Sequence, residues 1–281
     1  MEEKCSLCGK PKVYGIKSHY TPAKISENTF GERNRELIYT IDPGSQTIDT
    51  YYGPQNPQTD STEIKEAPNS KKGIFCKECE NNFGVYESVA QPAILELVNG
   101  IGHGVAISKT ADGEKFVEIQ VHPNILITFY QGVAWRQCIQ QRDDGKDSPI
   151  TKDDLERLRL LVLENHNTPI DKIVNKDLSS NPLMSILTTY NTRVPTTPSY
   201  VNPFQGYTNP VVFFVSSTVL LYWINENLSG DFEAKTAIPA SLLATELTLD
   251  KARLAISPKV WKKLHEKSAK IAADQFVGGR S

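Results

Sequence analysis

The sequence predicts an α+β fold in which a small cysteine-bearing N-terminal module precedes a larger domain of helices and antiparallel strands. Two Cys-x-x-Cys pairs lie near the N-terminus, with 67 residues between them. The stretch 123–140 is apolar almost all round, as in a buried helix, whereas 211–224 is rich in β-branched and aromatic residues, as in core strands. The chain has 281 residues, of which 39% are hydrophobic and 23% charged, so a wholly disordered protein is excluded.

Length and charge exclude further classes of protein. The longest apolar run, 211–224, contains serines and is shorter than the ~20 residues that a membrane span needs. The start of the chain, MEEKCSLCGK, lacks the apolar core of a secretory signal, and we therefore expect a cytoplasmic protein. A net charge of −2 argues against a chain that coats nucleic acid by electrostatics alone. Any contact with nucleic acid must be local.

Four of the five cysteines predict a zinc site. Cys5 and Cys8 form one pair and Cys76 and Cys79 the other, and such pairs let two sulfurs converge on one ion. The alternatives are two unrelated pairs or a redox-active pair. Redox chemistry needs one pair at a strand-to-helix junction in a βαβ unit, and neither pair has that setting. The fifth cysteine, Cys138, lies in an apolar helical pattern and is predicted to be a core residue, not a nucleophile.

The N-terminal module is predicted to cover residues 1–90. Between its two cysteine pairs runs a long polar, turn-rich stretch, 40–72, which is interpreted as a loop or as a loosely attached hairpin around 38–52. Apolar residues at helical spacing follow the second pair: Phe83, Tyr86 and Val89. The order of first pair, hairpin, and second pair opening a helix is that of a treble-clef zinc finger.

The larger domain is predicted to cover residues 91–281. Pro92 is interpreted as the start of a second short helix, and an Asp-Gly turn joins two strands of a hairpin within 105–121. After the buried helix, Thr151 begins a capping-box variant that opens another helix. Ser257 and Pro258 have the residue types that begin a C-terminal helix.

The C-terminal segment 251–281 is strongly basic. Its net charge is +6, which leaves −8 for the rest of the chain. Five lysines cluster on one side of the predicted helix: Lys259, Lys262, Lys263, Lys267 and Lys270. We expect this basic C-terminal helix either to contact a nucleic-acid backbone or to be a solvated face.

Several short motifs resemble the HNH endonuclease superfamily. His19 stands in the motif Ser18-His19-Tyr20-Thr21-Pro22, Glu80 directly follows the fourth cysteine, and Glu87 lies seven residues later. This pattern is similar to a group of mostly uncharacterised bacterial proteins with CxxC, then Ser-His-x-x-Pro, then CxxCE. The stretches around Trp135-Arg136 and LERLRLLVLEN also look like the helical region of that group. The resemblance extends over roughly residues 1–165.

The resemblance implies a second metal site beside the zinc. In HNH enzymes the histidine of the hairpin is the general base that activates water, and a divalent metal stabilises the leaving oxygen. His19 matches the base, and Glu80 occupies the position of a metal ligand suited to Mg²⁺ or Mn²⁺. Asn69 is the nearest residue for the amide that orients the base.

One position departs from the family pattern and leaves two functions open. Ser18 stands where many HNH enzymes carry a metal-binding acidic residue. His19 is then either a base or a side chain that packs beside the hairpin. Glu80 is either a metal ligand or a carboxylate that stabilises a helix N-terminus by about 0.3–1 kcal/mol. The resemblance implies a metal-dependent endonuclease in defence against phage or mobile DNA. The alternative is a non-catalytic, zinc-stabilised interaction or ligand-binding protein with a degenerate HNH site.

Overall fold

The computed structural model describes residues 4–12, 17–20, 22, 38–42, 47–51, 70–99, 107–109, 115–143, 145, 150–177, 185–190, 201–204, 211–215, 218–223 and 252–256. The helices among them are α1 (Lys77–Asn99), α2 (Pro123–Asp143), α3 (Lys152–His166) and α4 (Ile170–Ile173). The strands are β1 (Lys17–His19), β2 (Ile38–Asp42), β3 (Thr47–Tyr51), β4 (Ser70–Lys72), β5 (Ile107–Lys109), β6 (Lys115–Ile119), β7 (Ser185–Tyr190), β8 (Val201–Phe204), β9 (Val211–Val215), β10 (Thr218–Trp223) and β11 (Ala252–Ile256).

The described strands pair in three groups. β1 lies antiparallel to β4, with His19 opposite Ser70, and β2 lies antiparallel to β3. The remaining strands have the order β5-β6-β11-β7-β10-β9-β8, in which only the β11–β7 pair is parallel. The pair β5–β6 confirms the predicted hairpin within 105–121, and β9 with β10 confirms strands in the run 211–224. Of the two alternatives for 38–52, the β2–β3 pair matches the hairpin.

Helix α3 begins where its capping residue predicts. The Thr151 hydroxyl accepts a hydrogen bond from the backbone N–H of Asp154 at 3.1 Å, which satisfies one of the free donors of the first turn. Leu158, Leu161 and Val162 are buried along one face. This face holds α3 against the rest of the helical core.

Helix α1 differs from the sequence prediction at its middle. Pro92 was expected to open a second helix, but α1 continues through it to Asn99. A proline inside a helix removes one hydrogen bond and costs about 3 kcal/mol. The neighbouring Ala90, Gln91 and Ala93 are all buried, whereas Pro92 itself is exposed. Packing of these neighbours therefore outweighs the local cost of the proline.

The cysteine-bearing segments and the helices share one hydrophobic core. Leu7 and Phe75, which flank the cysteines, are buried in the same cluster as Phe83 of α1 and Trp135 of α2. The Phe83 and Trp135 rings stack with centroids 6.4 Å apart, and Phe75 lies 5.3 Å from Phe83. Burying each such side chain contributes about 1.5–3 kcal/mol. The first residues of the chain therefore depend on α1 and α2 for much of their stability.

Helix α2 is the centre of this core, as its apolar pattern predicts. Its residues from Leu126 to Ile139 are buried with the single exception of Ile127, which is partly buried. Helix α1 crosses residue 90, where the predicted division between two domains falls. That division stays a prediction. The predicted C-terminal helix from Pro258 and its lysines lie outside the described residues.

A buried histidine, His166, joins α1, α2 and α3. Its Nε2 donates to the Thr128 carbonyl at 3.1 Å. The centroid of its ring lies 4.6 Å from that of Phe83 and 4.9 Å from that of Tyr86, each in an edge-to-face arrangement. A Cβ atom at Gly132 would lie only 2.7 Å from His166 Nε2, so this close approach needs glycine. Burial, and then the positive charge of Arg136, lower the pKa of His166 to about 3.

We expect stability to fall in acid because of His166. The unfolded chain, with a histidine pKa near 6.5, binds a proton that the folded chain does not, so unfolding is favoured as the pH falls from about 6.5 towards 3. Over the two units from about pH 6.5 to about pH 4.5 the loss should be about 2 kcal/mol. Denaturant unfolding of wild type and His166→Gln across this range measures it. The variant should show a shallower pH dependence, and equal slopes would contradict the prediction.

Candidate metal centre and its surroundings

The first cysteine pair lies in a tight turn closed by backbone hydrogen bonds. The N–H of Gly9 donates to the Cys5 carbonyl, and the N–H of Cys5 donates to the Lys10 carbonyl, each at 2.9 Å. Gly9 has φ = 72°, a left-handed conformation that glycine adopts without strain. This turn directs the Cys5 and Cys8 side chains to the same side.

The second pair lies at the start of α1. Cys76 immediately precedes the helix and Cys79 is in its first turn, where the N–H of Glu80 donates to the Cys76 carbonyl at 3.0 Å. A separate bond, from the N–H of Ser6 to the Ile74 carbonyl at 3.0 Å, joins the two pairs directly. The predicted placement of the second pair at a helix start is confirmed.

The four cysteines come together as the sequence predicts. One ligand atom from each of Cys5, Cys8, Cys76 and Cys79 lies within 4.8 Å of all the others, and Cys8 Sγ is 3.7 Å from Cys76 Sγ. No other such group of three or more His, Cys, Asp or Glu occurs in the described part of the chain. This cluster can hold a metal ion.

The close sulfurs change the pKa values of the cysteine thiols. The hydrogen bond from Cys79 lowers the pKa of Cys5 to about 4, and the same bond, together with burial, raises the pKa of Cys79 above its usual range. Burial likewise raises the pKa of Cys8. Four thiolates this close to one another would repel strongly in the absence of a cation. A divalent cation removes that repulsion, and thiolates are ligands that Zn²⁺ prefers.

Two basic side chains lie near the cluster. Arg159 of α3 donates to the Leu7 carbonyl, between the first two cysteines, and its other nitrogens bind Glu156 in a bidentate pair at 2.7 Å. Glu156 raises the pKa of Arg159, which therefore stays charged. Lys10 pairs with Glu78 at 3.0 Å on the surface. A tetrathiolate with a divalent ion carries two net negative charges, and Arg159 partly offsets them.

His19 and Glu80 face each other beside the cysteine cluster. His19 Nδ1 lies 3.5 Å from Glu80 Oε1, and the same carboxylate oxygen accepts the backbone N–H of His19 at 3.2 Å. The two side chains are 26% and 20% exposed, so solvent reaches both. The other oxygen, Glu80 Oε2, is buried and makes no hydrogen bond within the described residues. The two predicted site residues are thus adjacent.

Ser18 has a structural role that the sequence did not reveal. It is fully buried, and its hydroxyl accepts the backbone N–H of Phe75 at 3.1 Å. This bond fixes β1 against the segment that leads into the second cysteine pair. A carboxylate at this position would be buried away from the exposed edge of His19. Asn69, the residue predicted to orient the base, lies outside the described residues.

The remaining cysteine is a core residue, as predicted. Cys138 is buried in α2, and burial raises the pKa of its thiol to about 12. A thiol that stays protonated is a poor nucleophile. Cys138 therefore packs in the core and takes no part in the metal centre.

Comparison with known proteins identifies no relative of this chain: no protein-family model, no curated protein and no solved structure matches it. Of the helices in the described ranges, none has the length and apolar character needed to cross a membrane.

Proposed function

We propose that this chain is a zinc-binding, HNH-like protein that acts on nucleic acid, with His19 and Glu80 forming a second metal site for phosphodiester hydrolysis. The observation that supports it is the 3.5 Å approach of His19 Nδ1 to Glu80 Oε1, at a partly exposed edge beside the four cysteines. A treble-clef finger on an α+β protein is part of the same proposal. A role in bacterial defence rests on the resemblance of the motifs alone.

Each residue would have a defined task in this reaction. His19 would take a proton from the attacking water, and the carboxylate of Glu80 would hold a divalent cation. A cation such as Mg²⁺ or Mn²⁺ would stabilise charge on the leaving oxygen. The four cysteines would hold Zn²⁺ and fix the position of α1, and with it Glu80. The basic C-terminal segment would contact the phosphate backbone.

A different function is favoured by the buried serine at position 18. Because Ser18 accepts a backbone hydrogen bond in the core, the first-strand position offers no second carboxylate for a metal. Under this alternative the cysteine cluster is a structural clasp. The chain is then a non-catalytic interaction or ligand-binding protein.

Metal binding and cleavage by the zinc-loaded protein distinguish the two functions. We expect wild type to bind one Mn²⁺, detected by electron paramagnetic resonance, and to cleave plasmid DNA or RNA only when Mg²⁺ or Mn²⁺ is added. Glu80→Gln should weaken both by at least about tenfold while its zinc content is unchanged. Glu78→Gln is the matched control, because Glu78 lies in the same helical turn but pairs with Lys10 at the surface. Absence of both Mn²⁺ binding and cleavage in wild type would support the interaction protein.

A further inference from the structure

Arg136 is a buried arginine with four distinct contacts. It is 1% exposed, and its Nη2 lies 2.6 Å from Glu87 Oε1 of α1. Its Nη1 donates to the His19 carbonyl at 3.1 Å, and its Nε donates to the Gly132 carbonyl at 3.3 Å. The guanidinium also lies 4.5 Å from the centre of the Phe83 ring. Two of its nitrogens therefore donate to backbone carbonyls, and the third forms an ion pair with a carboxylate.

These contacts hold the end of β1 from one side. Gln137, the next residue of α2, donates to the Tyr20 carbonyl at 3.3 Å. Two consecutive side chains of α2 thus bind two consecutive carbonyls of the chain that carries His19. On the other side of β1, Ser18 accepts the N–H of Phe75. Because the N–H of His19 also donates to Glu80, both peptide groups of His19 are held by hydrogen bonds.

Glu87 supplies the counter-charge for the buried guanidinium of Arg136. A buried arginine without a counter-charge is strongly destabilising. Glu87 lies seven residues after Glu80, two helical turns along the same face of α1. One helix face therefore supplies both the carboxylate that meets His19 and the carboxylate that holds Arg136.

We propose that Arg136, anchored by Glu87, is a positioning residue that fixes His19 against Glu80. Its catalytic consequence rests on the proposed function, whereas its effect on His19 does not. Lysine cannot replace it, because an ammonium group cannot reach the His19 carbonyl, the Gly132 carbonyl and Glu87 with the geometry of the planar guanidinium. Arg136 is buried, so it acts through His19 and does not touch a substrate.

Amide hydrogen exchange of the full-length, zinc-loaded protein tests the proposal. The N–H of His19 donates to Glu80, so its protection reports the position of β1 against α1. In Arg136→Lys we expect this protection to fall by at least about tenfold, with zinc content unchanged and amides in the centre of α3 still protected. Arg142→Lys is the matched control on the same helix, because Arg142 is 53% exposed and pairs only with Asp143 among the contacts described.

A second variant and a kinetic measurement complete the test. Glu87→Gln keeps an acceptor of the same shape and should show the same local loss of protection, so the proposal remains testable if Arg136→Lys does not fold. If cleavage is observed, kcat should fall by about tenfold or more with KM within about twofold, because Arg136 touches no substrate. Unchanged protection of His19 in both variants would overturn the proposal. If the two variants lose protection at His19 and the wild type cleaves no nucleic acid, the proposed function is refuted and the positioning role of Arg136 is supported.

Discussion

Replacing Cys76 by serine is expected to release the bound metal and to unfold the helical core together with the N-terminal residues. Structural zinc sites contribute roughly 10–16 kcal/mol of apparent binding free energy, which is as large as the whole stability of a typical domain, about 5–15 kcal/mol. Cys76 also lies between Phe75, which is fully buried, and the first turn of α1. Loss of the metal should therefore release α1 at its start and expose the aromatic cluster around Trp135.

Elemental analysis and thermal unfolding by far-ultraviolet circular dichroism measure this effect. Wild type should contain about one zinc per chain, and Cys76→Ser much less than half of that. Cys138→Ser is the matched control, because it replaces an equally buried thiol outside the cluster and should change stability modestly with no loss of zinc. A Cys76→Ser protein that keeps its zinc, or whose helices melt at the wild-type temperature, would contradict the prediction.

The cluster could be predicted from the spacing of the cysteines. The packing of the cysteine-bearing segments against the helices could not. A Cys-x-x-Cys turn is a local feature, so each pair could be recognised from four residues. The sequence analysis assigned the cysteines to a separate module of residues 1–90. In the structure, Leu7 and Phe75 pack in the same cluster as Trp135. That contact joins segments far apart in the chain, and no local pattern specifies it.

Helix boundaries were predictable where a local group determines them. Thr151 caps α3 as expected, because its hydroxyl binds a backbone N–H only three residues away. Pro92 was misinterpreted as a helix start, because burial of its neighbours by α2 and other elements outweighs its local effect. The general rule for proline is sound, but it does not include tertiary packing.

The contacts around His19 likewise depend on tertiary packing, which local sequence patterns do not specify. His19 and Glu80 were identified from motifs, and the structure places them together. Arg136 lies in a stretch that was recognised from the sequence, but its partner Glu87 could not be identified. The pair depends on how α1 packs against α2. Ser18 was interpreted as a departure from a family pattern, and its hydrogen bond to Phe75 became apparent only in the structure.

Replacing His19 by alanine is expected to reduce metal-dependent cleavage by about 10²–10⁴-fold, if the proposed function holds, because loss of a positioned general base typically has this effect. The fold should change little. The contacts that hold β1 are made by the His19 backbone and by its neighbours, and the ring itself is partly exposed. Zinc content and melting temperature should therefore stay close to the wild-type values.

Two further measurements separate loss of a base from general damage to the site. Added imidazole can enter the space left by the His19 side chain at this exposed edge, and it should restore part of the activity of His19→Ala but not of Glu80→Gln, since only the first variant lacks a proton acceptor. His122→Asn is the matched control. His122 accepts the N–H of Asn124 at the start of α2, a role that asparagine can also perform, and the change should leave cleavage unaltered. Equal cleavage by wild type and His19→Ala would exclude His19 as the base, and its contact with Glu80 would then be structural.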